Sequence, residues 1–234
     1  LDLALLKINR RGQKFLTVAL SKTTSRVGDN AYAIGAIDFT GDMPILLGPD
    51  GPSLGGFVCP AVVVGGERWK LGQLRPGDSV RFCRVTPEEA QRLAQEQERL
   101  IRDLTPKKLA KTTISQASDS GEAVVMRRPG LCVRRAGDQY LLVEYGEPEL
   151  DLGLRLRVHQ LWQAVRVAAI PGIIDLTPGI RSLQFHHDPL RLSQTELLQR
   201  ILALDAALPP IADVEVPMRT VHLPLSWDDP ATRK

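Results

Sequence analysis

The sequence predicts an α+β chain in two parts, and three observations carry that prediction. From residue 31 to residue 84, short apolar runs alternate with glycine and proline turns, the pattern of a β domain. At Thr86 the apolar spacing changes to that of an amphipathic helix. Beyond a polar stretch at 105–121, strand-like runs and helical patterns alternate.

Taken in order, residues 1–30 are weakly patterned, with strand character at 14–20 and loop character at 21–29. Strands are expected at 31–37, 43–47, 57–64 and 79–84, with turns at Gly65-Gly66 and at Arg75-Pro76-Gly77-Asp78. Thr86-Pro87-Glu88-Glu89 is a capping box with proline at the first helical position. Ala90, Leu93, Ala94, Leu100, Ile101 and Leu104 then recur at helical spacing until Thr105-Pro106 stops the helix. The Lys-, Thr- and Ser-rich stretch that follows has no sustained apolar period and reads as a linker.

In the second part, strands are expected at 123–127, 131–135 and 139–145, with a turn at Gly137-Asp138. Leu154, Val158, Leu161, Trp162 and Val165 mark a helix over 152–168. Runs at 170–176 and 182–187 pair across Thr177-Pro178-Gly179. Ser193-Gln194-Thr195-Glu196 is a second capping box, opening a helix to about residue 208, and 218–225 supplies a last strand. The order βαββαβ is that of a ferredoxin-like α/β sandwich. The chain thus divides into a β domain with a terminal helix at 1–104, a linker at 105–121 and an α/β domain at 122–234.

Composition narrows the function classes. Thirty basic residues are nearly balanced by 27 acidic ones, for a net charge of +3, and aromatics make up 5% of the 234 residues. Neither a basic footprint nor a base-stacking surface is present, so no nucleic acid is expected as a partner. No apolar run approaches the length of a membrane span, and no membrane partner is expected. Cys59, Cys83 and Cys132 are far apart in apolar runs, which suits buried thiols and a reducing, cytoplasmic location.

The most informative stretch is the loop at 41–60, rich in Gly, Pro, Asp and Ser between two apolar runs. Glycines let a backbone approach a ligand and prolines stiffen the path between them, which suits a cradle of backbone N–H groups for a carbonyl or carboxylate. Gly51-Pro52-Ser53-Leu54-Gly55 matches the G-x-S-x-G of a hydrolase elbow. The residues after it read as strand where the elbow requires a helix, so a serine nucleophile is not expected. Asp29, Asp42 and Asp50 fit either general bases or loop caps. His186 and His187 fall on opposite faces of a strand and no metal-ligand spacing occurs, so no metal site is expected.

Three runs resemble the allophanate hydrolase subunit 2 (KipA-like) family. They are Phe39-Thr40-Gly41-Asp42-Met43-Pro44, the run from Gly48-Pro49-Asp50-Gly51 through Gly55-Gly56-Phe57, and Trp69-Lys70-Leu71-Gly72-Gln73-Leu74-Arg75-Pro76-Gly77-Asp78. The second half carries Glu144-Tyr145-Gly146, the run from Leu176-Thr177-Pro178-Gly179 through Leu183-Gln184, and His187-Asp188-Pro189, which resemble the subunit 1 (KipI-like) family. Their order, and the ending Val221-His222-Leu223-Pro224-Leu225-Ser226-Trp227, resemble the carboxyltransferase domain of the urea carboxylase (urea amidolyase) family, as a central fragment.

That resemblance implies a partial cyclophilin-like β-barrel in the first half and a ferredoxin-like sandwich with the start of a barrel in the second. It implies transfer of a carboxyl group from carboxybiotin to urea, giving allophanate. The biotin would ride on a separate carrier domain, and ATP would be used by a separate biotin carboxylase domain. Neither cofactor is expected to reside on this chain, which lacks a biotinyl Met-Lys-Met and an ATP-grasp signature. The roles it implies are catalytic for Asp29, Asn30, Asp50 and Ser53, and substrate-binding for Asp42, Gly48, Pro49, Gly51, Gly55, Gly56 and Phe57. A His-Pro-Ser-Asn run of the family is replaced here by residues 23–28, and most of the KipA-like barrel has no counterpart. The isolated chain is therefore expected to be inactive. The alternatives are a 5-oxoprolinase-type subunit and a non-catalytic KipI-like binding protein.

Overall fold

The computed structural model describes residues 13–23, 30–40, 43–51, 54–56, 58–76, 78–104, 123–224 and 230, those at 13–23, 30, 40, 43, 54 and 79 by their backbone. The expected linker at 105–121 lies outside them. The first half is a five-stranded sheet in the order β4-β3-β6-β1-β7, from β1 (Gln13–Thr23), β3 (Ala36–Thr40), β4 (Met43–Leu46), β6 (Val58–Val63) and β7 (Ser79–Arg84). Its neighbours are antiparallel except β1 and β7, which run parallel. Two short strands, β2 (Asn30–Ala31) and β5 (Leu54–Gly55), form a separate ladder. No closed barrel is formed among the described residues.

β6 is central because its sequence can be buried on both faces. Ala61 and Val63 pack into one cluster with Ile37, flanked by Leu46, Val80 and Phe82. Val62 points the other way into a second cluster with Tyr32, Ala36 and Leu47. Pro60, which lacks an N–H, sits where the register shifts in both flanking ladders, so its missing donor costs no ladder bond. Helix α1 (Pro87–Asp103) begins as the capping box requires, with the Thr86 hydroxyl accepting from Glu89 N–H at 3.2 Å.

Two expectations for this half are corrected. The run at 31–37 is not one strand: Gly35 takes φ +90°, and the chain turns there between β2 and β3. Gly65-Gly66 is more than a turn, since it opens a 3₁₀ helix, Gly65–Gln73. A Cβ at Gly66 would lie 2.7 Å from the Leu93 backbone, so this glycine lets α1 pack directly onto the 3₁₀ helix.

The second half is an antiparallel sheet in the order β11-β12-β10-β9-β8, from β8 (Val124–Arg128), β9 (Leu131–Arg135), β10 (Tyr140–Tyr145), β11 (Ile173–Pro178) and β12 (Ser182–His187). Helices α2 (Leu152–Ala168) and α3 (Gln194–Ala207) cover one face, over a core of Val133, Leu141, Val143, Leu161, Phe185 and Ile201. Asp151 and Ser193 cap the two helices. The unit β10-α2-β11 is a crossover between parallel strands with β12 between them. The strand expected at 218–225 is not formed at 218–224, where the chain is exposed and irregular; residue 225 lies outside the described residues. β9 occupies the place beside β10 instead. Its short connection through Gly137 makes that pairing local, whereas a strand arriving after α3 must close a long loop.

Charges buried beneath this sheet are paired. Glu144, 5% exposed, accepts from Arg134 at 2.5 Å and from Arg181 at 2.8 Å. Asp205 accepts from the Tyr145 hydroxyl at 2.7 Å and Arg157 at 3.0 Å, with Arg128 also on its carboxylate. Glu144, Tyr145 and Arg181 of the KipI-like runs thus find their partners within the second half. None of the three cysteines is in a disulfide.

The halves meet through the β9–β10 turn. Gly137, at φ +80°, has only 2.9 Å between an added Cβ and the Val62 side chain. Both Asp138 carboxylate oxygens accept from Gly65 N–H at 3.1 Å, and Ala136 and Tyr140 join the Val62 cluster.

Replacing Glu144 by Leu strands two arginines in a poorly hydrated place, and breaking such a pair costs about 3–5 kcal/mol. Equilibrium urea unfolding of Glu144→Leu should show a loss of that order with an unchanged slope. Asp138 gives a pH-dependent counterpart. Burial pushes its carboxyl above the ordinary 3.8, opposed by the Gly65 N–H, its own amide and the positive charge of Arg68. A folded pKa above the unfolded one makes this group's contribution fullest below about pH 3.8, and it declines as pH climbs through the folded value. Asp138→Asn cannot titrate, so its stability relative to the parent should improve as pH rises from about 4 toward neutrality.

Candidate functional site

The described part of the loop contains one turn, at 48–51. Gly48-Pro49-Asp50-Gly51 closes through Gly51 N–H donating to Gly48 carbonyl at 3.1 Å, with proline at the second position where its fixed φ suits the turn. Gly48, Pro49 and Asp50 are exposed, and nothing lies within 4 Å of a Cβ added at Gly48. The entry to the turn is fixed at Leu47, 6% exposed, whose N–H donates to Ala36 carbonyl at 2.9 Å. Leu47 carbonyl accepts from Gly35 N–H at 2.8 Å. The exit is fixed at β5, where Gly55 pairs with Asn30 and Leu54 with Ala31.

Both ends of the loop therefore rest on one segment, residues 30–36. Tyr32 lies in that segment and fills the space at Gly55: a Cβ there would stand 2.3 Å from the tyrosine hydroxyl. Glycine is required at 55 by this contact. At Gly35, positive φ allows its carbonyl to receive Val63 N–H at 2.8 Å while its own N–H holds Leu47.

Among the candidate residues, the structure brings Asn30 and Gly55 together as backbone partners, and sets Gly48, Pro49, Asp50 and Gly51 in one turn at the same end of the sheet. Gly56 is exposed just after β5. Asp29, Asp42, Ser53 and Phe57 lie outside the described residues. The elements after Ser53 are β5 and β6, so the helix that a nucleophile elbow requires does not follow. His187 is fully buried with Nδ1 at 2.9 Å from Leu192 carbonyl, while His186 faces the opposite side of β12 and stacks on Tyr140 with ring centroids 4.3 Å apart. Burial pushes His186 down to about 4, aided by the nearby Arg68 charge, so this stack is uncharged at neutral pH.

Sequence reasoning missed the residues that hold the segment from below. Gln184 donates through Nε2 to Tyr32 carbonyl at 3.1 Å, and the Tyr140 hydroxyl accepts from Ile34 N–H at 3.4 Å. Arg68 donates to Ile34 carbonyl at 3.3 Å and also to Gln139 Oε1. Gln184 ends one of the quoted family runs, but nothing in its spacing, or in that of Tyr32, announces a contact across 152 residues. Asp38 on β3 was also missed: it is 4% exposed, burial pushes its carboxyl up, and Cys59 Sγ stands at 3.9 Å.

Residues 6–84 match the model for the carboxyltransferase domain, subdomain A and B, and residues 131–234 match that for subdomain C and D. The urea amidolyase of Lachancea kluyveri is 36% identical over 216 residues, which is 89% of this chain and 12% of that protein. The urea amidolyase of Saccharomyces cerevisiae is 34% identical over the same shares. In the crystal structure of the K. lactis urea amidolyase, the matching region has TM-score 0.68 and 34% identity, covering 78% of this chain and 12% of that one. The urea carboxylase structure from Kluyveromyces lactis gives TM-score 0.67 at 34% identity, covering 78% of this chain and 17% of that one. This chain spans about 12% of the length of these curated relatives. With the A–B and C–D models matched in order along it, the chain belongs to the carboxyltransferase-domain family.

Proposed function

We propose that this chain supplies part of the carboxyltransferase centre of a biotin-dependent urea carboxylase, which moves a carboxyl group from carboxybiotin to urea and yields allophanate. The observation that carries the proposal is the pinning of the exposed Gly48–Gly51 turn and the Asn30–Gly55 ladder to one segment, in a chain 34–36% identical to urea amidolyases. The finer fold reading belongs to the same proposal: a partial cyclophilin-like barrel at 1–104, a linker at 105–121 and a ferredoxin-like unit at 122–234.

The residues fit a planar cyclic urea such as the biotin head group. The turn is closed by the bond from Gly51 N–H to Gly48 carbonyl, exposed, and open at Gly48, so a flat ring can lie against its backbone. Carboxybiotin, delivered by a carrier domain and charged by an ATP-using biotin carboxylase domain, supplies an activated carboxyl group. The chain's own residues bind and orient. Backbone N–H groups from Ser53 to Gly56 stabilise negative charge on the ureido oxygen, the work of a preorganised oxyanion site. Asn30 and Asp29 orient urea, and Asp50 at the exposed corner of the turn accepts its N–H. Asp42 and Phe57 border the same loop and bind substrate. Holding the two ureas in contact is itself worth several orders of magnitude in rate.

A graft tests this without requiring the isolated chain to act. This chain replaces the matching 216 residues of the Lachancea kluyveri enzyme, and urea-dependent ATP hydrolysis is measured beside bicarbonate-dependent ATP hydrolysis with free biotin. The expected result is retention of both. Loss of the urea-dependent reaction alone, in a folded graft, overturns the proposal. Within the graft, Asp50→Asn, which removes a carboxylate acceptor, and Ser53→Ala, which removes a hydroxyl donor beside those N–H groups, should each lower urea-dependent kcat about 100- to 1,000-fold, the range for loss of one oxyanion donor or proton-handling group. Unchanged kinetics would take the loop out of the site. The 234-residue chain alone is expected to show no urea-dependent decarboxylation of carboxybiotin.

A further inference from the structure

We infer that the second half of the chain positions the first-half loop, and that Gln184 is the positioning residue of this contact, acting through Tyr32. This rests on the reading above for its functional meaning, but the contact itself does not.

The bland alternative is ordinary packing between two domains, and three features speak against it. First, the polar contacts converge on the backbone of one short segment. Gln184 takes Tyr32 carbonyl, the Tyr140 hydroxyl takes Ile34 N–H, and Arg68, itself bound to Gln139, takes Ile34 carbonyl. Second, that segment is the anchor for both ends of the loop, at Leu47 and at Gly55. Third, Gln184 is a costly choice for mere packing. It is 2% exposed and, among the described residues, its Oε1 has no hydrogen-bond partner, a desolvation cost that a merely space-filling side chain would not carry. The amide cannot be turned over, because a carbonyl oxygen facing it accepts only from N–H.

The geometry also says how displacement travels. Gln184 fixes the Tyr32 backbone, the Tyr32 ring abuts Gly55, and Gly55 sets the register of Asn30. His186 holds the Tyr140 ring from its other side by stacking, which keeps the second tether aimed at Ile34. A shift of β12 relative to the first sheet therefore moves the exit of the loop before it moves anything in the helical core.

Hydrogen–deuterium exchange on the full 234-residue chain reads this directly with Gln184→Met, which keeps volume and removes the donor. The bonded amides of Gly35 and Leu47 should exchange about three- to tenfold faster, the worth of one buried hydrogen bond, while Leu141 and Val143 keep parental rates. Parental rates at Gly35 and Leu47 would overturn the inference, and so would a uniform rise across both halves. Should Gln184→Met fail to fold, Tyr140→Phe carries the same test, since it removes the acceptor and retains the stacked ring. In the graft, Gln184→Met should lower urea-dependent kcat by a similar factor with bicarbonate-dependent ATP hydrolysis unchanged. A graft that is inactive from the start fails the functional reading alone, because the exchange result stands without urea.

Discussion

Everything at the candidate site depends on how residues 30–36 satisfy their backbone groups. This segment joins the main sheet only at Ala36, yet Ala31, Tyr32, Ala33 and Ala36 are buried. Buried N–H and C=O groups must find partners. Here they are shared among three sources. Gly35 and Ala36 bond to Leu47 and Val63 of the first half, Asn30 and Ala31 to β5, and Tyr32 and Ile34 to Gln184 and Tyr140 across the junction, with Arg68 of the first half also on Ile34 carbonyl. Gly35 makes the sharing possible, because at φ +90° its N–H and carbonyl diverge toward two different strands.

The same junction shows why the polar residues of the second sheet divide into two kinds. On β10 and β12, Leu141, Val143, Leu183 and Phe185 face the helices and form the core. The alternate residues Tyr140, Glu144, Ser182, Gln184 and His186 face away from that core. Glu144 is neutralised by Arg134 and Arg181, both in the second half. Gln184 and Tyr140 are uncharged and spend their hydrogen bonds on the first half. An uncharged donor is the cheaper group to bury where two surfaces must meet closely. His186 is consistent with this, since burial keeps it neutral against the Tyr140 ring.

The sequence was most legible where a local signal decides structure. Thr86, Asp151 and Ser193 each cap the helix expected of them or of the run beside them, and α2 spans the predicted 152–168. β7 and β12 likewise begin and end where alternation placed them. Failures came where distance in sequence decides. The strand expected at 218–225 carries Val221, Leu223 and Leu225 in alternation, but the place beside β10 is taken by β9 through a short hairpin. The run at 31–37 reads as one strand because Gly35 looks like a small apolar residue, and only its contacts with Leu47 and Val63 reveal a turn. For the site, the loop was visible from its composition. Its supports, Tyr32 and Gln184, were invisible because their meaning lies in a contact spanning 152 residues.

The same division governs how a glycine-rich loop is ordered on this scaffold. Glycine-rich loops give close backbone approach, but each glycine adds conformational entropy that must be lost on ordering. A cradle of backbone donors is useful only if its N–H groups already point where charge will develop. In this chain that order does not come from packing around Gly48, where an added Cβ would meet nothing within 4 Å. It comes from Leu47 and Gly55 at the loop's ends, and they take it from a segment that the second half grips. Subdomains that are separate in sequence are thus joined in setting one backbone register. A substitution at the junction, far from any reacting atom, acts on the loop through that register rather than through the stability of either core.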